Sequence, residues 1–133
     1  MNPSPTDPIP LSASFEEFEQ VFWRCEIAKH GRVPGEVVAD ILRRAMRSEV
    51  PAKSDRPGTT WDSVYIGHFL LRIEGHLIVI FNDADEVDYV ECVEWSDGRL
   101  GHFDDWSEKN EQPFDLLNET EWDFFQKWIR TVA

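Results

Sequence analysis

Apolar positions along the chain keep a helical period twice, switch to a strand period, and then return to a helical one. Ser14-Phe-Glu-Glu17 has the capping-box pattern, and behind it Phe15, Phe18, Phe22 and Cys25 recur at helical spacing until Gly31 supplies a stop. A second helix is predicted from near Pro34, with Val37, Val38, Ile41, Leu42 and Ala45 in one apolar stripe. It must end before Pro51, and the prolines and glycine of residues 51–60 predict a loop. From Val64 the period is that of strands. Tyr65, Phe69, Leu71 and Ile73 are placed on one strand face, Glu74-Gly75 reads as a tight turn, and residues 77–81 return. That register sets His68 opposite Phe81 and His76 opposite Ile73. Residues 82–86 read as a short acidic loop and 87–95 as a third strand. The Asp97-Gly98 pair is expected to supply the positive φ angles of a hairpin turn into a fourth strand over 100–103. Asn118-x-x-Glu121 opens a last helix whose Trp122, Phe125, Trp128, Ile129 and Val132 face the core.

This order predicts an α+β fold: an antiparallel four-stranded meander packed with two N-terminal helices and one C-terminal helix. The chain has 133 residues, so one domain is expected, over residues 13–133, behind a proline-rich flexible leader at 1–12. Both faces of the first hairpin are apolar, which asks either for helices on both sides or for a dimer interface. Cys25 and Cys92 have no CxxC spacing and read as reduced, partly buried thiols; Cys25 suits a core position. The first residues lack a basic n-region, and no apolar run reaches membrane-spanning length, so a cytoplasmic location is expected.

Charge changes the picture most. Between Phe81 and Asp123 lie fifteen carboxylates against only Arg99 and Lys109, a formal charge of −13 that equals the net charge of the whole chain. Such a charge opposes direct contact with nucleic acid or an anionic membrane. The acids are interleaved with Tyr89, Trp95, Phe103, Trp106 and Trp122, a pattern suited to steering and then packing a basic protein. The expected contact residues are Asp83, Asp85, Glu86, Asp88, Glu91, Glu94, Asp97, Asp104, Asp105 and Glu108, with Trp106 as the packed anchor. Trp23, Trp122 and Trp128 fall on helical stripes and belong to the core, whereas Trp61, Trp95 and Trp106 sit at element ends and fit core or interface equally. Arg43, Arg44 and Arg47 crowd the end of the second helix, where they favour its dipole; binding the acidic half internally is their alternative role.

Catalytic constellations are weak. Asp83, Asp85 and Glu94 match the first, third and twelfth positions of a calcium loop, but Val87 and Asp88 occupy the fifth and sixth, where a ligand and a glycine are needed. No metal or cofactor is expected. The histidines do not cluster, and neither a nucleophile elbow nor a phosphate-binding glycine loop is present.

The segments Trp61-Asp62-x-x-Tyr65-x-Gly67-His68, Ile73-Glu74-Gly75, Phe81-Asn82-Asp83-x-Asp85-Glu86-x-Asp88-Tyr89 and Ser96-Asp97-Gly98-Arg99 resemble an uncharacterised family of short acidic bacterial proteins of the kind found in pseudomonads. The resemblance implies a bacterial cytoplasmic protein and transfers no catalytic residue. The function expected is that of an inhibitory binding protein, an immunity protein that neutralises a basic, nuclease-like toxin. Its rivals are a phage-type anti-defence inhibitor that imitates nucleic-acid charge, and a metal-using enzyme.

Overall fold

The computed structural model describes residues 23–133. The expected leader, the Ser14 capping box and Phe15, Phe18 and Phe22 lie outside the described residues. Helix α1 (Trp23–His30) buries Trp23 and Ile27. It closes at Gly31, whose N–H makes the last helical bond to the Ile27 carbonyl at 2.8 Å and whose φ of +97° turns the chain out of the helix. Cys25 points to solvent, contrary to its expected core position, while Cys92 is buried. Helix α2 (Gly35–Met46) starts behind Pro34 and buries Val38, Ile41, Leu42 and Ala45 as the stripe predicts. Gly35 is required there because a Cβ would overlap the Glu111 carbonyl oxygen.

Five strands follow among the described residues: β1 (Ala52–Ser54), β2 (Ile66–Ile73), β3 (His76–Asp83), β4 (Glu86–Glu94) and β5 (Leu100–His102). They form one antiparallel meander in chain order. The short helix α3 (Trp61–Val64), capped reciprocally by Thr60 and Ser63, precedes β2, and α4 (Phe103–Glu108) follows β5. A 3-10 turn (Pro113–Leu116) leads to α5 (Glu119–Trp128), which opens on the expected Asn118–Glu121 box. The class is α+β. The four-strand, three-helix count is corrected to five and five among the described residues, because β1, α3 and α4 are each shorter than the period that would reveal them.

The β2–β3 register is the expected one: His68 faces Phe81 and Ile73 faces His76 across the Glu74-Gly75 turn, both of whose residues have positive φ. Only Gly98 takes positive φ in the next turn but one, where its N–H bonds the Trp95 carbonyl at 2.9 Å. Ala84 and Asp85 supply the β3–β4 turn instead, at φ 53° and 73°.

Helices cover both sheet faces. Phe69, Leu71, Ile73, Ile78, Ile80, Val90 and Val93 pack with α2 and α5, and Leu70, Leu77, Val79, Cys92 and Leu100 pack with Trp23 and Ile27 of α1. The two apolar faces of the hairpin are thereby satisfied within one chain. Both sheet edges are also tied down. Leu100 exchanges hydrogen bonds with Gly31 and Val33 at 2.9 Å, and Ser54 N–H donates to the Ala133 carbonyl at 3.1 Å. Among the described residues no helix is long and apolar enough to cross a membrane.

Candidate partner-binding surface

The fold separates acids that serve the protein itself from acids that do not. In α4, Trp106 is fully buried, with its indole N–H donating to the Val33 carbonyl at 2.9 Å. Its ring lies so close to Gly101 that a Cβ there would stand 2.5 Å from Trp106 Cζ2. Asp105 is 5% exposed and accepts from Arg32 Nε at 2.6 Å and Lys109 Nζ at 2.8 Å. Burial pushes its carboxyl up, but Lys109 and Arg32 together outweigh that and hold it below the usual range. Arg32 also pairs with Glu111, and Arg24 with Glu108. Asp105 is therefore the buried centre of an ion network, whereas the Arg24–Glu108 pair lies at the surface. Asp105 and Trp106 are buried and so are corrected from contact residues to structural ones; Glu108 stays exposed, paired with exposed Arg24, and Asp104 stays exposed, its N–H capped by His102 Nδ1 at 3.1 Å.

Three further acids are accounted for locally. Val79 pairs with Cys92 and Ile80 with Val90, so Glu91 is the extra residue of a bulge; it is 3% exposed, with its carboxylate 3.9 Å from His68 Nε2. Glu91 is thus removed from the surface. Asp97 is exposed but holds its own turn, accepting the Arg99 N–H at 3.0 Å and Arg99 Nε at 2.9 Å, and these bonds lower its carboxyl. Glu94 is half-buried, and desolvation raises its carboxyl above the usual range while Arg72 opposes the shift. A raised folded-state value means that the stability linked to Glu94 is full at acid pH and is lost as pH rises through that value. Glu94→Gln is accordingly expected to melt above the parent at neutral pH and with it at about pH 4, as measured by thermal unfolding at the two pH values.

Asp83, Asp85, Glu86 and Asp88 lie at or beside the β3–β4 tip. The tip is bolted down. Asp85 N–H bonds Asn82 Oδ1 at 2.8 Å and the Tyr65 carbonyl at 3.1 Å, and its carboxylate accepts Trp61 Nε1 at 3.1 Å. Arg130 donates to the Asp85 carbonyl at 2.6 Å, and buried Asn82 donates to the Trp61 carbonyl at 3.0 Å. This scaffold presents Tyr65 and Ile66, which are 58% and 62% exposed. Tyr65 adopts φ 55°, ψ −66°, a strained conformation for a bulky side chain. Ile66 pairs with Asp83, which pairs with Glu86, so the apolar knob and two carboxylates form one cross-strand row. Asp62 is exposed one turn earlier. Asp62, Asp83, Glu86 and Asp88 have no ion-pair partner among the described residues.

Tyr65 and Ile66 escape sequence reasoning because an aromatic and a β-branched residue at a strand start read as core. Trp61 and Trp95 are buried as well, so the exposed apolar side chains are not the expected tryptophans. The calcium-loop template does not assemble: Asp83 sits at the tip, whereas Glu94 pairs with Leu77 at the other end of β4. Among the described residues no group of three or more His, Cys, Asp or Glu is placed to hold a metal ion. Arg43 takes the alternative role considered for the second helix, since it bonds Glu121 at 2.8 Å and the Leu116 carbonyl at 2.6 Å.

A family model described as a domain of unknown function, DUF7693, matches residues 32–131. The chain belongs to the DUF7693 family. No curated protein and no solved structure matches it. The DUF7693 span begins at Arg32, the counter-ion of Asp105, and contains the whole sheet together with the Tyr65–Ile66 tip.

Proposed function

We propose that this protein acts by binding: it captures a basic protein through the β3–β4 tip and so inhibits it. The observation that carries the reading is the exposed Tyr65–Ile66 pair standing among Asp62, Asp83 and Glu86, acids with no internal counter-ion among the described residues. Exposed rings and aliphatics on a rigid scaffold make binding anchors, and uncompensated carboxylates speed encounter with a basic surface and reject acidic ones. The finer reading is a bacterial cytoplasmic immunity protein directed at a basic, nuclease-like toxin, whose phosphate-binding cleft would be occupied by the acidic tip.

The test is capture on the tagged protein from its source cells, with elution in rising salt and identification by mass spectrometry. One basic protein is expected at near-stoichiometric yield, released as salt screens the carboxylates. An empty eluate at low salt would overturn the reading. Recovery of a nucleic-acid-binding defence complex would replace immunity with anti-defence inhibition.

A further inference from the structure

Beside the tip, Asp88 of β4 borders a groove of about 460 Å³ that is floored by Phe114, Leu117 and Trp122 and rimmed by Asp115 and Glu119. Phe114 and Trp122 lie with ring centroids 5.0 Å apart, and both are packed into the main core, so the floor is rigid. Several acids elsewhere on the described surface have basic partners: Asp55 has Arg72, Asp97 has Arg99, Glu121 has Arg43, and Glu108 has Arg24. Asp88, Asp115 and Glu119 have none among the described residues, and no Lys or Arg lines the groove. The aromatic floor is thus left beneath three uncompensated carboxylates.

We infer that this groove is a docking subsite for an arginine side chain of a protein partner. Its flat guanidinium stacks on an indole and forks to carboxylates, two contacts that an ammonium cannot combine. The three-carbon stem covers the apolar floor. The groove adjoins the tip through β4, on which Asp88 follows the tip residue Glu86 by two positions. The assignment of the arginine to a protein rests on the capture reading; the chemistry of the groove does not.

The probe is Nα-acetylarginine amide, titrated into the full ¹⁵N-labelled chain, with Nα-acetylcitrulline amide as its uncharged isostere. The Trp122 indole N–H, assigned through Trp122→Phe, is expected to shift saturably with the arginine compound and not with citrulline. Asp88→Asn and Glu119→Gln should each weaken that binding by about two- to fivefold, in line with solvent-screened ion pairs. Both side chains are exposed, so these variants keep the fold. Equal shifts with citrulline, shifts confined to another tryptophan, or unchanged affinity in both variants would overturn the inference. Partner capture without arginine binding would remove the subsite and leave the capture reading. Arginine binding with an empty eluate would do the reverse.

Discussion

Trp106→Ala should destabilise the fold by about 3–5 kcal/mol, enough to leave a domain of this size barely folded. The fully buried ring lies against Gly101 in the main core, and its N–H satisfies the Val33 carbonyl where the chain enters α2. Truncation therefore opens a cavity and orphans a buried acceptor together. Trp106→Phe, which keeps most of the volume and loses only the hydrogen bond, should cost less than half as much. Asp104→Lys, two residues away and exposed, should stay within about 0.5 kcal/mol of the parent. Urea unfolding of the three variants orders them directly. A near-neutral Trp106→Ala would mean that this ring lies at the surface and that α4 is misplaced.

At Tyr65 the expected signature is opposite in kind. Glycine adopts φ 55° without strain, so Tyr65→Gly releases about 1–3 kcal/mol of backbone strain. It also pays about 0.5–1 kcal/mol for the greater freedom of the unfolded glycine. The side chain is more than half exposed and contributes little packing. Stability should hold or rise, while capture of the partner falls at least about tenfold, as for an interface anchor. Lower stability combined with intact capture would show that Tyr65 is an ordinary structural residue and that the strain serves nothing at the surface.

The sequence made some of this legible and hid the rest for identifiable reasons. The β2–β3 register could be read because Glu74-Gly75 fixes a two-residue turn between strongly apolar strands. The α5 start could be read because its cap is local in sequence. Elements β1, α3 and α4 span three to six residues, too few to show a period, and they are the ones missed. At the site, the quantity of charge was visible but its pairing was not. Arg32 and Asp105 are 73 positions apart, as are Arg43 and the Leu116 carbonyl. Only the fold brings Arg32 onto Asp105, and with it part of the charge of α4 is compensated. Trp106 beside two aspartates looks like an anchor in the sequence; in space the aspartates flank the point where its ring enters the core. Tyr65 shows the converse: the alternation pattern places it on the apolar strand face, and in space it is exposed at a positive φ beside exposed Ile66.

The most direct test of the central claim compares two acidic segments in one salt-graded capture experiment. Asp83→Lys with Glu86→Lys reverses the tip, and Asp104→Lys reverses an exposed acid of α4; none of the three side chains is buried. If the tip is the capture surface, the double variant should lose the basic partner at salt concentrations where both the parent and Asp104→Lys still retain it. If instead Asp104→Lys releases the partner and the tip variant holds it, capture runs through α4 and the tip is not the binding surface.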